Sequence, residues 1–530
     1  KPVDGPRAYK IGLADFIVNQ AFIEEGLVDI LAAILTGKAK KRGPKGGVQN
    51  FLLEGNPLGR ALVYSMSRKG VLKQTKGHYP APIIAIDIIS KTYGGSLNRG
   101  LEIERQMFLE NVDGAFKIAP NLIRVFFGME HLKKQAAPKA RGIDSVGVVG
   151  AGVMGHGITY LASYKEIPVR MTDINLEALA GGLKEIAATY KTVAKIKRMK
   201  RPAVNRLMHK ISWATRNDGF VNQDLIIEAA TENLELKHKI FADIENGAKP
   251  DAIVASNTSS LRIDEMAKGM EHPERFVGMH FFNPVSRMPL VEVVSGTKTS
   301  GEAVDTAVAL CQKWGKIPLK VQDCAGFLVN RIFAMSANEL MRMYEEGASM
   351  EQLEKAVTRF GWPMGPFTLA DTVGNDVSYK VFKSFEKAYG KRFEVPKTFE
   401  EMFNRGLFGK KTGKGFYIYN GKKKTPNPVL NEFKRGSATI SDEEIIERST
   451  FAMLGEAVRC LEEGIVEKPA DLDMALILGT GFPPFRGGLL CYANELGLPK
   501  VVAAMRRYEE KYGERFAPPK MLLEIQRFQV

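Results

Sequence analysis

Between residues 143 and 323, short and continuously apolar runs alternate with longer stretches in which apolar residues recur every three or four positions. The short runs are "SVGVVG" (145–150), "PVRMTD" (168–173), "DLIIEAA" (224–230), "AIVASNT" (252–258), "FVGMHFF" (276–282) and "IPLKVQD" (317–323). Runs of this length predict buried strands and the stretches between them predict helices, so the expectation is a parallel, doubly wound sheet.

On either side the pattern is helical. Residues 1–140 contain "GLADFIVNQAFIEEGLVDILAAIL" (12–35) and "LNRGLEIERQMFLENV" (97–112), each with an apolar stripe at helical spacing. "KKQAAPKARG" (133–142) is polar, basic and rich in alanine and proline, which predicts a linker. After "GFLVNRI" (326–332) the chain turns helical again and repeats itself. "FAMSANELMRMYEEG" (333–347) aligns with "FAMLGEAVRCLEEG" (451–464), and "FGWPMGPF" (360–367) with "GFPPFRGG" (481–488), at an offset of 117–120 residues. Two copies of one helical module, packed on each other, are the simplest reading. "GKKTGKGFYIYNGKKKTPNP" (409–428) predicts an extended connector between them. The expected domains are therefore 1–140, 141–322, 323–435 and 436–530.

Composition narrows the function classes. With 45% hydrophobic and 25% charged residues the chain has the balance of a globular protein in water, and no apolar run approaches membrane-spanning length. Cys311, Cys324, Cys460 and Cys491 lie far apart with no CxxC pair, which favours a reduced compartment over a disulfide framework or a structural zinc. Much of the net charge of +15 is spread along the chain, but two runs stand out, "GKAKKRGPKGG" (37–47) and "KTVAKIKRMKRP" (191–202). Few aromatics interleave these runs, which argues against nucleic acid and leaves phosphate-bearing small ligands or an anionic membrane surface. No targeting segment is visible, but a chain that begins at Lys1 says little about compartment on that ground.

"GAGVMG" (150–155) fits GxGxxG, follows a strand, opens a helix, and is followed 18 residues after Gly155 by Asp173 at the tip of the next strand. Gly150, Gly152 and Gly155 permit a tight turn and close approach of a pyrophosphate to the helix N-terminus. Asp173 can accept hydrogen bonds from both ribose hydroxyls and would repel a 2′-phosphate, so NAD is expected rather than NADP.

In open α/β sheets ligands sit beyond the carboxyl ends of the strands. Ser259 lies just past "AIVASNT" and His280 near the end of "FVGMHFF", where a nicotinamide and its substrate would meet. An alcohol oxidation needs a base for the hydroxyl proton, and histidine titrates near neutrality. If "GMHFF" and "PLVEVV" form a hairpin centred near Ser286, His280 and Glu292 lie opposite each other, and the carboxylate would fix the imidazole tautomer. A hydrogen-bonded core histidine and a surface glutamate are the alternatives; the strand-end position and the matched glutamate favour a proton-transfer pair.

Taken together, "GAGVMG", "EAATENLELK", "ASNTSS", "GMHFFNPVSRMPLVEVV", "GFLVNRI", "GWPMGPF" and "GKKTGKGFY" resemble the NAD-dependent (S)-3-hydroxyacyl-CoA dehydrogenases of fatty-acid β-oxidation, over residues 143 to about 420. The second helical module and the preceding segment resemble the larger multifunctional β-oxidation proteins. The resemblance implies an α/β, Rossmann-type doubly wound parallel sheet, two repeated all-α domains after it, and a helical remnant of a crotonase-type domain before it. "KPVDGPRAYKIGLADFIV" (1–18) resembles the closing part of a crotonase-type hydratase. The earlier part of that core is missing, so the chain reads as part of a multifunctional enzyme without hydratase activity of its own.

By position, the resemblance makes His280 the catalytic base and Glu292 its partner. It gives Ser259 and Asn330 the substrate's 3-oxygen and puts Asn283 by the nicotinamide. Gly150, Gly152, Met154, Gly155, Asp173, Glu232, Lys237 and Ser259 match NAD-binding positions. Lys195 and Lys197 lie where the family's basic helix meets the CoA phosphates, with a solvated helix face as the alternative. The substrate implied is an acyl-CoA and the partner a thiolase β subunit in an α/β complex. The compartments implied are the mitochondrial matrix or inner-membrane face and the bacterial cytoplasm, ahead of the peroxisome. Three rival readings are a dehydrogenase of free 3-hydroxy acids, a scaffold that kept the fold, and a basic subunit docking peripherally on an anionic membrane. The scaffold has no need of Ser259, His280, Glu292 and Asn330 together, and membrane docking is compatible with catalysis.

Overall fold

The computed structural model describes residues 3–18, 22–39, 48–111, 117–217, 219–421 and 423–530. The chain divides into two compact units, Lys1–Lys117 and Ile118–Val530. Most of the basic run 37–47, from residue 40 onward, lies outside the described residues.

The first unit is a set of helices with little core. Asp4 caps Gly5–Ile11 by accepting from Arg7 N at 2.8 Å, and Gly12 ends that helix in the left-handed region, at φ 78°. The apolar stretch 12–35 is therefore not one helix: its described helix is Ile23–Leu35, which buries none of its residues and leaves Leu27, Val28, Leu31 and Leu35 exposed. Further helices span Pro57–Thr75, Ala81–Thr92 and, as expected, Leu97–Asn111.

In the second unit eight strands form one sheet: β1 (Val146–Val149), β2 (Val169–Thr172), β3 (Ile211–Ala214), β4 (Leu225–Glu228), β5 (Ile253–Ser256), β6 (Phe276–Phe281), β7 (Leu290–Ser295) and β8 (Ile317–Gln322). Their order is β3-β2-β1-β4-β5-β6-β7-β8. All neighbours run parallel except β6 and β7, which pair antiparallel. The order reverses between β1 and β4, which opens the crevice in which sheets of this kind bind ligands. β3 has no counterpart among the expected strands: its "ISWA" is half-exposed on the sheet edge, so it carries no buried apolar run to read.

The stretch 133–142 is not a loose linker. Lys139 N donates to Asp305 Oδ2 (3.1 Å), Arg141 N to Thr306 Oγ1 (3.2 Å), and Gln312 Nε2 to the Gln135 carbonyl (2.9 Å), strapping it along the helix Gly301–Lys313. The helix before it, Ala119–Lys133, buries Val125 and Leu132, and its Asn121 Nδ2 donates to the Phe485 carbonyl and to Glu495 Oε1. A Cβ on Gly128 would lie 2.7 Å from Met474 Sδ, so a larger residue there would have to displace that side chain. The boundary expected at 140 accordingly falls near 117, because these bonds tie residues 118–142 to the second unit.

The repeat is visible as a pair of long helices, Val329–Glu346 and Asp442–Glu462, packed against each other. Each holds an arginine with no exposed surface that reaches across to carboxylates of the other. Arg331 Nε lies 2.7 Å from Glu456 and its Nη1 2.6 Å from Glu463; Arg448 Nε lies 2.8 Å from Glu339 and its Nη1 2.7 Å from Glu346. Tyr389 stacks under Arg331 and Tyr512 under Arg448, with ring centroids 4.3 and 3.8 Å from the guanidinium carbons. A glutamate pair and an aromatic floor offset the desolvation of each guanidinium. The connector between the copies folds into an antiparallel ribbon of Tyr417–Asn420 with Lys423–Pro426.

Removing one of these cations leaves buried carboxylates short of a partner. Arg448→Met should destabilise the helical modules by about 3–5 kcal/mol, read as a lowered urea midpoint in far-UV circular dichroism; an unchanged midpoint would mean that the cross-module pairs contribute nothing net.

Candidate active site

β6 alternates. Val277, Met279 and Phe281 point into the apolar layer that also holds Val291, Val293 and Trp314, so His280 faces the opposite side, toward the helical modules. The antiparallel register pairs His280 with Glu292, as the hairpin predicts. His280 Nδ1 lies 2.7 Å from Glu292 Oε2; the histidine is 5% exposed and the glutamate 0%. With Nδ1–H donated to the carboxylate, Nε2 carries the lone pair that can accept a proton.

Glu292 has a second set of donors. The backbone N–H groups of Leu328 and Val329, at the start of the helix Val329–Glu346, reach its Oε1 at 3.1 and 3.0 Å. The positive end of that helix and its free N–H groups favour the buried charge. The turn into the helix holds Phe327 at φ 52°, a left-handed conformation that costs a non-glycine residue roughly 1–2 kcal/mol. The Phe327 ring then lies 5.7 Å from the His280 ring, and Phe282 lies 4.5 Å from it on another side. The two phenylalanines of "HFF" thus divide their work, Phe281 packing in the sheet layer and Phe282 against the imidazole.

Ser259 and Asn330 are brought together: Asn330 Nδ2 donates to the Ser259 carbonyl at 3.2 Å. Glu232 serves Ser259 as well, accepting from its N (2.8 Å), from its Oγ (2.9 Å) and from Thr258 Oγ1 (2.6 Å). In this geometry the Ser259 hydroxyl proton is directed to Glu232, so donating to a substrate oxygen requires that hydroxyl to turn. Sequence reasoning missed Asn257, whose Oδ1 accepts from Phe281 N at 2.9 Å and ties the end of β5 to the end of β6. It also missed the two backbone donors on Glu292, which no side chain announces.

At the switch point the glycine loop has the shape a pyrophosphate needs. Gly150 has φ 106°, and a Cβ there would lie 2.7 Å from the Ala229 carbonyl oxygen; one on Gly155 would overlap the Gly150 carbonyl. Gly152 instead faces open space with nothing within 4 Å, at the N-terminus of the helix Val153–Tyr164. Met154, in the first turn of that helix, is half-buried. Asp173 accepts from Ala151 N (2.6 Å) and Ile174 N (2.7 Å), and beside it opens a cavity of about 690 Å³ lined in part by Gly150, Thr172, Asn217, Ala230 and Asp243. This cleft beside a carboxylate and a bare helix end fits a dinucleotide.

Lys237 does not take the place expected for a cofactor contact. It is 0% exposed, pairs with Glu228 and donates to Ser256 Oγ at 3.3 Å, beneath the surface of the cleft. Burial so complete directs its ammonium to Glu228 and holds β4 and β5 to the helix Leu234–Gly247. Lys195 and Lys197 lie exposed in the last turn of the helix Leu176–Lys197, where cations oppose the negative helix end, and Lys197 Nζ reaches Tyr164 Oη at 2.5 Å. Asn283 is exposed on the loop after β6. Among the described residues no cluster of His, Cys, Asp or Glu could hold a metal ion.

Because Gly152 has φ −65° and open space around it, Gly152→Ala should fold with unchanged thermal stability while a methyl fills the phosphate seat. NADH affinity, followed by fluorescence titration, should fall at least about tenfold; unchanged affinity would place the pyrophosphate elsewhere.

Comparison with known proteins agrees with this geometry. A family model described as the NAD binding domain of 3-hydroxyacyl-CoA dehydrogenase matches residues 145–324, and the model of that family's C-terminal domain matches 326–419 and 445–528. A fatty acid oxidation complex subunit alpha of Shewanella amazonensis is 39% identical over 538 residues, 98% of this chain and 74% of the relative. The solved 3-hydroxybutyryl-CoA dehydrogenase of Escherichia coli K12 is 25% identical with a TM-score of 0.64, covering 72% of this chain and 98% of that one. The dehydrogenase part of multifunctional enzyme 1 from C. elegans is 26% identical with a TM-score of 0.54, covering 76% and 98%. A parallel sheet with a dinucleotide crevice, a His–Glu pair under a helical module, and that module present twice all follow the same pattern: the chain belongs to the 3-hydroxyacyl-CoA dehydrogenase family, NAD-dependent oxidoreductases, in the form found in the α subunits of fatty acid oxidation complexes.

Proposed function

We propose that His280, Glu292, Ser259 and Asn330 carry out the NAD-dependent oxidation of a (S)-3-hydroxyacyl-CoA to the 3-oxoacyl-CoA in fatty-acid β-oxidation. The observation that carries this reading is the buried 2.7 Å contact between His280 Nδ1 and Glu292, which leaves Nε2 as the proton acceptor. His280 takes the proton of the 3-hydroxyl, and Glu292 stabilises the imidazolium that results. Ser259 and Asn330 hold the oxygen as its charge changes. Bound NAD+ supplies the hydride acceptor, and Gly150, Gly152, Met154, Gly155, Asp173 and the Glu232–Ser259 corner would hold it, with Asn283 on the nicotinamide side.

Lys195 and Lys197, exposed and cationic, are proposed for the CoA phosphates, where attraction requires no fixed geometry. Relatives named as α subunits of a complex support a partner chain, for which we propose a thiolase-type β subunit. Four free, buried cysteines and bacterial relatives support the bacterial cytoplasm as compartment. No helix among the described residues is long and apolar enough to cross a membrane, and a peripheral contact with anionic lipid is proposed from the charge of +15 alone.

His280→Gln should lower kcat by about 10²–10⁴-fold with NADH binding retained, and acetoacetyl-CoA should be reduced by NADH far faster than free acetoacetate. Near-normal turnover in the variant would sink the base assignment, and equal rates on the two substrates would favour a dehydrogenase of free 3-hydroxy acids.

A further inference from the structure

Lys316 precedes β8 and is 7% exposed, yet among the described residues no carboxylate pairs with it. Its ammonium donates instead to two main-chain carbonyls, those of Val285 and Met288, the second at 2.6 Å. Both carbonyls belong to the loop that joins β6 to β7, and so joins His280 to Glu292. That loop is closed from its other side by the Pro284 carbonyl, which accepts from Arg287 N (2.9 Å) and Met288 N (3.0 Å). Lys316 is itself held in place: its N donates to the Cys311 carbonyl, and Ile317 N to the Pro289 carbonyl, each at 2.8 Å.

The same loop touches the dinucleotide helix. Val285 is 3% exposed, and a Cβ on Gly157 of the helix Val153–Tyr164 would lie 3.0 Å from Val285 Cγ2. Glycine at 157 therefore lets the loop seat directly on the helix whose N-terminus faces the phosphates. One short segment thus contacts the cofactor helix through Val285, carries Asn283 at its start, and links the two strands of the proton-transfer pair.

We infer that Lys316 is a positioning residue, a buried clamp that sets the 283–289 loop and thereby aligns the nicotinamide side of the cofactor site with His280. A buried cation is costly, and burial pushes this ammonium down to about 8, with Lys165 adding repulsion and Cys311 opposing it. Methionine would fill the space without that cost, but would leave two buried carbonyls short of a donor. The inference rests on the dehydrogenase reading for its catalytic consequence; its effect on cofactor binding stands apart from the substrate.

The test compares Lys316→Met, Lys316→Arg and Val285→Ala in the full chain, by NADH fluorescence titration, by kcat and KM with acetoacetyl-CoA, and by thermal melting. In Lys316→Met, at a temperature where circular dichroism shows it fully folded, NADH affinity should fall several-fold and kcat about 10²-fold, the scale of a small misplacement. Lys316→Arg should recover part of both. Wild-type NADH affinity and kcat per folded molecule in Lys316→Met would overturn the proposal, as would a kcat loss that merely follows the folded fraction. If Lys316→Met does not fold, Val285→Ala decides: NADH affinity should fall several-fold, and unchanged affinity overturns the coupling. A wild-type chain that binds NADH but ignores acetoacetyl-CoA would sink the reaction assignment while leaving the binding arm to decide on Lys316.

Discussion

Glu292 has none of its surface open to water, and the placement of the sheet against the first helical module answers that constraint. A buried carboxylate is tolerated only when its lone pairs are filled by donors. The sheet supplies one through His280; the other two come from the N-terminal amides of the helix Val329–Glu346. The imidazole tautomer is thus set by a contact between two domains, neither of which contains all of it. The strained backbone at Phe327 fits the same requirement, since the turn must deliver two N–H groups to one oxygen and a ring to the histidine.

That helix must be immobile for its amides to serve as fixed donors, and the repeat explains how it is held. Arg331 lies one residue after Asn330 on the same helix and is buried against Glu456 and Glu463 of the second copy. The second copy returns Arg448 to Glu339 and Glu346 of the first. The duplication therefore serves as a brace: each long helix is pinned by the carboxylates of the other, and one of the two presents the active site. The inferred Lys316 clamp would belong to the same scheme, since its ammonium bonds two carbonyls of the loop between β6 and β7.

Much of this was legible in the sequence because it depends on local chemistry. The glycine motif, the apolar runs and the two-residue alternation each act over a few residues, so every strand but the half-exposed β3, the dinucleotide crevice and the facing of His280 and Glu292 could be read directly. The repeat was legible because it preserves residue types at a constant offset. Errors occurred where a residue's role depends on a distant partner. The segment 133–142 has the composition of a linker and becomes a strap only because Asp305, Thr306 and Gln312 lie beside it. Lys237 occupies a motif position that points to the cofactor, but Glu228 draws its side chain into the interior.

By itself, the sequence determined the kind of sheet, the cofactor class and the facing of His280 and Glu292, because hydrophobic period and glycine geometry operate along the chain. Only the tertiary structure decided what surrounds them: the two amides on Glu292, the bond of the Ser259 hydroxyl to Glu232, and the ammonium under the β6–β7 hairpin. The amides and the ammonium join groups 28–37 residues apart through backbone atoms, and the Ser259 hydroxyl meets Glu232 across 27 residues. Backbone donors and acceptors are the same in every residue, so no letter of the sequence could announce them.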